Sequence, residues 1–407
     1  MDFSIFIPTI EIGPPYVGPM AGLRRYSYSL VQSLANQGID IYVATTTKLS
    51  SDDELLNREN IHFYYLPEQI SARGAYSTLT HFYAKNHRSF SKQAFDVYTE
   101  LSSEVDIALI HATEVAASYF AKAKKRNQIK IPLVVSIHGA VTIGNLKSRM
   151  WVKRPYSRLL RRIVKHCDYI VTTSVSLLEK IKRLSKSMKE KVIIVPHSLN
   201  CKTFSQISKL EDLESFRDKY DVDQGKSIVL MQGPYINRKS QHKVVKFFPE
   251  ILKRNAKIVF LVVGDGPLLS KIKEDVVNLG IEDSVIITGY IDDKELLLAF
   301  HISAVLLYPA EEGSFGTPLI EAMASGLPVI AVDKPPMNEM IPPNCDWLYP
   351  ANDEVALVDK VLGIIKNKEK IQEVAFKSQK HALKKFDYPV VGKKLLKAYT
   401  KIAKESK

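Results

Sequence analysis

The chain has 407 residues, 45% of them hydrophobic, and 57 Lys and Arg against 44 Asp and Glu give a net charge of +13. The length suits two domains of roughly 100–200 residues each, and the apolar share excludes general disorder. No apolar run approaches the roughly 20 residues that a membrane-spanning helix needs.

The first residues, Met-Asp-Phe and a short apolar run to Pro8, have no basic leader and no cleavage site, so no secretory signal is expected. Runs at 4–7, 40–44, 107–110, 133–137, 169–172 and 192–195 read as buried strands. Segments 23–36, 114–127, 152–166 and 175–186 between them have helical length and period. Strand and helix in this alternation predict a parallel sheet with helices on both faces. The polar stretch 200–225, with Asp221-Val222-Asp223-Gln224-Gly225, breaks the rhythm and reads as an interdomain connection. The rhythm then restarts with strands at 228–232, 258–263, 285–288, 305–308 and 329–332. The tail 390–404, after Asp387-Tyr388-Pro389, is a further helix. The expected fold class is α/β: two Rossmann-like doubly wound domains facing a cleft. The expected domains are 1–203 together with 388–407, and 204–387. Ligands of such sheets sit beyond the carboxyl ends of the strands.

The charge is uneven. Residues 1–205 carry 28 basic and 16 acidic side chains, whereas 206–407 carry 29 and 28. Between 122 and 191 there are 19 basic residues and 3 acidic ones. Within that segment, Arg149, Lys153, Arg154, Arg158, Arg161 and Arg162 surround Trp151, Tyr156, Leu159 and Leu160 at near-helical spacing. Such a stretch suits an anionic membrane surface, unless its apolar side packs on its own sheet. No nucleic-acid motif accompanies the charge, so nucleic acid is not an expected partner. Cys167, Cys201 and Cys345 are odd in number and far apart, which points to a reducing compartment and no metal site. The cytoplasm is the expected location, with a peripheral place on the inner membrane face if the basic region meets lipid. Asp221 and Asp223 have metal-ligand spacing but fall in the connection, so no metal is expected.

The most informative stretch runs from Pro309 to Ala331. A strand ends at Tyr308, and a loop with Glu311, Glu312, Gly313, Ser314, Phe315 and Gly316 follows. Thr317 is placed to cap a helix whose first turn holds Pro318 and whose next contains Glu321. Free N–H groups and the positive end of the helix dipole suit a diphosphate there. Glu321 can accept from sugar hydroxyls such as those of a ribose. His138 follows the apolar strand 133–137 and precedes Gly139, whereas His111 reads as structural.

The 309–331 stretch resembles the nucleotide-sugar signature of GT-B glycosyltransferases of family 4. Other pieces match in the right order: Gly22-Leu23-Arg24-Arg25-Tyr26, Ser136-Ile137-His138-Gly139, Val195-Pro196-His197-Ser198-Leu199-Asn200, Val263-Gly264-Asp265-Gly266-Pro267, Gly289-Tyr290 and Asp387-Tyr388. The resemblance implies a retaining transfer from a nucleotide-diphosphate sugar, which acts as co-substrate with no other cofactor. It implies His138 near the transferred sugar, Arg238 and Lys239 on the diphosphate, and donor contacts at Gly22, Gly233, Gly264, Gly266, Ser314, Phe315, Gly316, Thr317 and Glu321. It also implies a last helix that crosses back to the first domain. The acceptor falls to the first domain, whose charge suggests a lipid-linked or otherwise anionic glycan acceptor at a membrane face. UDP is favoured over GDP as the commoner nucleotide.

Two departures stand out. The family's first acid lies eight residues before Glu321, where this chain has Gly313. Either one extra loop residue lets Glu312 take the role, the favoured reading, or the acid is missing. The family's arginine after Gly233 is replaced by Pro234, and Arg238 is the candidate substitute. An epimerase or phosphorylase of the same fold, and a nucleotide-binding scaffold with a decayed site, are the alternative functions.

Overall fold

The computed structural model describes residues 3–13, 21–67, 79–114, 116–138, 150–182, 191–311, 315–343 and 345–406, with side chains at 21, 79–87, 150–157 and 368–370 outside the description. The chain divides into one unit of residues 1–198 and 388–407 and another of 199–387.

In the first unit the order is β1 (Ser4–Pro8), α1 (Ala21–Ala35), β2 (Asp40–Thr45), β3 (Ile61–Tyr65), α2 (Leu79–Leu101), β4 (Ile107–Thr113), α3 (Ser118–Lys125), β5 (Leu133–Ile137), α4 (Met150–His166), β6 (Tyr169–Thr172), α5 (Val175–Lys182) and β7 (Val192–Ile194). The seven strands form one sheet in the order β3-β2-β1-β4-β5-β6-β7, and every described pairing is parallel. The second unit contains α6 (Cys201–Ser205), α7 (Leu210–Lys219), β8 (Ser227–Gln232), α8 (Gln241–Val244), α9 (Phe248–Arg254), β9 (Ile258–Val263), α10 (Leu269–Asn278), β10 (Val285–Gly289), α11 (Asp293–Ile302), β11 (Val305–Tyr308), α12 (Thr317–Ala324), β12 (Val329–Val332), α13 (Met337–Met340), β13 (Leu348–Tyr349), α14 (Glu354–Lys366) and α15 (Lys368–Phe386). Its six-stranded parallel sheet has the order β10-β9-β8-β11-β12-β13. Strand order reverses between β1 and β4 in one sheet and between β8 and β11 in the other. These are the topological switch points where doubly wound sheets open a crevice.

β9, Ile-Val-Phe-Leu-Val-Val, is buried at all six positions. A strand covered by helices on both faces needs apolar side chains at every position rather than at alternate ones. Each Val, Leu or Ile so buried contributes about 1.5–3 kcal/mol relative to exposure.

The last helix, α16 (Tyr388–Glu405), belongs to the first unit. Val391, Leu395, Tyr399 and Ile402 recur every three or four residues on its buried face. That face lies in the same core cluster as Leu30, Val31 and Leu34 of α1. Gly392 sits where a Cβ would come 1.9 Å from the Ser33 carbonyl oxygen, so only glycine lets these two helices approach so closely.

The structure shifts several boundaries. β3, β13 and α2 were not among the expected elements. β3 carries polar His62 and aromatic residues on a partly exposed edge, and β13 has only two residues. The expected connection at 200–225 is ordered as α6 and α7. The second unit begins at Leu199 rather than 204, because Leu199 N–H donates to the Phe386 carbonyl (2.9 Å) and Cys201 N–H to the Asp387 carboxylate (3.0 Å). Asp221 has φ of +52°, and Asp223 Oδ1 accepts from Gly225 N–H at 2.7 Å, which makes that stretch a tight turn.

Candidate functional site

The second unit's switch point gathers charge. After β8, the chain turns at Gly233 (φ +130°) into a 3-10 turn, Asn237–Lys239. The Lys239 side chain is buried, and its Nζ donates to the Tyr308 hydroxyl at the end of β11 while lying 4.9 Å from that ring's centroid. An ammonium has three donors, and among the described residues no carboxylate pairs with this one. Arg238 is half-buried beside it.

Gly264 and Gly266 follow β9 with φ of +122° and +152°. A Cβ on Gly264 would lie 2.3 Å from the Gly233 carbonyl oxygen, and one on Gly266 would lie 2.7 Å from backbone atoms of Tyr235. Tyr235 N–H donates to the Asp265 carbonyl at 2.9 Å. These glycines allow the loops after β8 and β9 to cross backbone on backbone, which sets the height of the turn that carries Lys239.

Beyond β11, Glu311 is clamped. Its carboxylate accepts from Lys243 Nζ and Lys334 Nζ, both at 2.6 Å, and from Ser240 Oγ at 3.2 Å. The Lys243 and Lys334 hydrogen bonds pull its pKa down to about 2. Glu312 and Ser314 lie outside the described residues. The Phe315 ring is buried and meets Phe386 edge-on, 6.2 Å between centroids. The helix cap is Gly316 rather than Thr317, and a Cβ there would press on Leu319, Met337 and Met340. Thr317 and Pro318 form the first turn, and Glu321 follows one turn later with 0% exposure.

The first unit's site is different. His138 follows β5 and is 8% exposed, and neither of its ring nitrogens has a hydrogen-bond partner among the described residues. Its backbone N–H donates to Glu114 Oε1 at 2.6 Å. Its ring lies 3.6 Å from that of Tyr26 and 5.3 Å from that of His197. Burial, then His197 and His111, holds its pKa well below the ordinary value of 6.5. Burial likewise lowers His111 and His197 to about 3. The three imidazoles are therefore neutral at physiological pH.

Beneath His138 runs a buried polar chain. The Tyr26 hydroxyl meets Ser136 Oγ at 2.7 Å, Ser136 Oγ meets His111 Nε2, and His111 Nδ1 meets the Tyr399 hydroxyl on α16. His111, expected to be structural, is the middle of this chain. Sequence reasoning passed over Tyr26, Glu114, Ser136, His197 and Tyr399. One signal was present: Ser136 and His138 are two residues apart, and strand side chains alternate faces. Gly22 is in the first turn of α1, not in a loop, and a Cβ there would meet nothing within 4 Å.

The basic helix α4 divides. Leu159, Leu160, Ile163 and Val164 are buried in the core cluster, while Arg158, Arg161 and Arg162 are exposed. Over this part, the apolar side is committed to the protein's own sheet and only the cations face outward. Arg149, and the side chains of Trp151, Lys153 and Arg154, lie outside the described residues. Among the described residues, no helix is long and apolar enough to cross a membrane, and no group of three His, Cys, Asp or Glu could hold a metal ion.

Comparison with known proteins places this geometry. Residues 20–202 match the model of "Glycosyltransferase Family 4" and residues 212–381 that of "Glycosyl transferases group 1". The chain is 25% identical over 333 residues to the alpha-monoglucosyldiacylglycerol synthase of Streptococcus pneumoniae, covering 80% of this chain and 71% of that one. It is 28% identical over 269 residues to the N-acetyl-alpha-D-glucosaminyl L-malate synthase of Bacillus anthracis, covering 65% of each. Its fold matches that of Anabaena HepE, solved with UDP and glucose, with a TM-score of 0.73 at 15% identity over 98% of this chain and 100% of that one. With two parallel Rossmann-like units and a family match on each, the chain belongs to the group 1, family 4 glycosyltransferases.

Proposed function

We propose that this glycosyltransferase moves a sugar, with retention of anomeric configuration, from a UDP-sugar to a lipid-linked or membrane-proximal acceptor. The second unit binds the donor. Lys239, Arg238 and the backbone at Gly316–Thr317 oppose the charge that builds on the departing diphosphate. Preorganised donors aimed at developing charge are usually the largest catalytic contribution, worth about 10²–10³ in kcat for one donor. These groups carry the leaving-group charge without a resident metal. Glu321 accepts from the ribose hydroxyls. Glu312 and the neutral imidazole of His138 orient the transferred sugar. The bond from the anomeric carbon to the diphosphate oxygen breaks. The acceptor oxygen then bonds to the same face, and its proton passes to the leaving phosphate. The acceptor side falls to the first unit, at the cytoplasmic face of a membrane.

The observation that carries this reading is Lys239: a buried side chain at the switch point of the donor-type sheet, hydrogen-bonded to the Tyr308 hydroxyl. A buried cation that no carboxylate among the described residues faces favours an anionic ligand. The Streptococcus relative's glucosyldiacylglycerol product and the UDP and glucose of the HepE structure support the choice of acceptor and nucleotide.

The test is nucleotide release from UDP-glucose with diacylglycerol vesicles, for the native protein, Lys239→Ala and Glu321→Ala, with the product anomer read by NMR. Unchanged turnover in both variants overturns the site. Inversion at the anomeric carbon overturns the mechanism. Turnover that survives chelation with EDTA is expected, and its loss overturns the metal-free leaving-group role.

A further inference from the structure

The first unit holds a second basic feature that sugar transfer does not use. A cavity of about 390 Å³ lies among α2, α3 and α4, lined by Arg88 and Lys92 of α2, Ser118, Tyr119 and Lys122 of α3, and Arg162 of α4. Four cations from three helices converge there, and no acid lines the cavity among the described residues. Arg88 and Lys92 stand four residues apart on one helix face, where like charges repel. Lys122 sits in the last turn of α3 with Lys124 and Lys125, so like charge gathers at that end of the helix. Lys122 Nζ lies 5.4 Å from the centroid of the Tyr119 ring.

The second observation is Ser118. It is 6% exposed, and its hydroxyl has no hydrogen-bond partner among the described residues. It begins α3, whose N-cap, Ala117, offers no side-chain acceptor to the helix. Tyr119 N–H is already taken by Ser91 Oγ at 2.8 Å. A buried hydroxyl with no partner among the described residues, on a residue that lines a cavity with four cations, suits an anion that can accept from all of them.

We infer that this cavity binds a phosphoryl group, carried by a lipid headgroup or free as a phosphate monoester. Arg88 and Arg162 supply planar forks, Lys92 and Lys122 point charges, and Ser118 an inner hydroxyl donor. The site lies on the unit read as acceptor-binding, so its biological role rests on that reading. Binding is measured without turnover, so its failure leaves the donor assignment untouched.

The experiment measures glycerol 3-phosphate and inorganic phosphate by calorimetry on the whole protein, and co-sedimentation with phosphatidylcholine vesicles with and without phosphatidic acid. Arg88→Gln with Lys122→Gln is expected to weaken binding by about tenfold or more, the scale of one charge-assisted contact. Lys125→Gln with Arg126→Gln removes the same charge from the exposed far end of α3, outside the cavity, and is expected to change binding no more than about twofold. Ser118→Ala is expected to weaken phosphate binding severalfold without lowering the unfolding midpoint in phosphate-free buffer. Loss of vesicle binding along with the soluble phosphates identifies a headgroup as the ligand. Loss confined to soluble phosphates identifies a free phosphate monoester. Equal losses in the two double variants, no detectable phosphate binding by the native protein, or an unaffected Ser118→Ala variant overturns the inference.

Discussion

The two units share a parallel, doubly wound sheet, yet their strand-end sites are chemical opposites. In the second unit, charges crowd the switch point: Lys239 against Tyr308, and Glu311 between Lys243 and Lys334. In the first, the rings and hydroxyls at the strand ends, Tyr26, His111, Ser136, His138, His197 and Tyr399, form a neutral set, with the Glu114 carboxylate accepting from the His138 backbone beside them. The overall charge runs the other way. The half whose site is built on these neutral groups holds nearly all the net positive charge. Fold sets where a site lies, and local side chains decide whether that site manages an anion or orients hydroxyl groups. The charge of a domain reports on its surface and partners, not on its reaction centre.

Acidification separates the two units most strongly. His111 and His197 have folded pKa values of about 3, depressed by burial from an ordinary value of 6.5. A depressed histidine binds fewer protons when folded than when unfolded. Its contribution is therefore whole above pH 6.5 and is lost as pH falls from there toward the folded value. By pH 5 each costs about 2 kcal/mol, so the pair removes about 4 kcal/mol from the first unit. Glu311 in the second unit is also depressed, to about 2, but from a carboxylate's ordinary value of 4.5. Its contribution is whole above pH 4.5 and falls only below that. Hydrogen exchange at pH 7 and pH 5 is expected to show β4 and β5 losing protection while β8 and β11 keep theirs. Equal loss in both sheets would break the contrast.

Removing a charge should act on the reaction rather than on stability. Lys239→Ala is expected to cost about 10²–10³ in kcat, the scale of one lost donor to a leaving oxyanion. Donor KM should move less, as measured by steady-state nucleotide release. The two neighbouring acids sharpen the same point. Glu311 is tied to two lysines, so Glu311→Ala should lower the unfolding midpoint, with turnover within about threefold of native, as for a partly exposed ion pair. Glu312→Ala should leave the midpoint in place and reduce kcat by about 10²-fold. The reverse outcome exchanges their roles and puts two extra residues in the loop rather than one.

Much of this was legible in the sequence because it depends on local pattern. Continuous apolar runs such as 258–263 marked buried strands, and Thr317-Pro318 marked the start of α12. Three things were not legible, each for a tertiary reason. Phe315 sits in a loop motif, but its ring is needed against Phe386, 71 residues away in the chain. Gly264 and Gly266 read as a turn before a helix; their necessity comes from the backbone of Gly233 and Tyr235, brought alongside by the sheet. His111 and Tyr399 are 288 residues apart, and no spacing rule pairs them. Local signals located the charged site, whereas the neutral one consists of long-range contacts between residues that look ordinary one at a time.

That long-range character gives the gentlest test. Tyr399→Phe keeps the ring that fills the core beside α1 and removes one hydroxyl. The His111 Nδ1 it faces belongs to a fully buried side chain. An unmade buried hydrogen bond costs about 1–3 kcal/mol, so the unfolding midpoint should fall by only a few degrees. The consequence of interest is at the other end of the chain. If His111 and Ser136 hold the Tyr26 ring in place beneath His138, loosening the far end reduces kcat severalfold and leaves donor KM unchanged. Tyr26→Phe should give the same pattern, and the double variant should lose less than the product of the two, because both cut one network. Independent, multiplicative losses would mean that α16 supports the first unit only by packing, and that His138 is oriented by the Tyr26 ring and Glu114 alone.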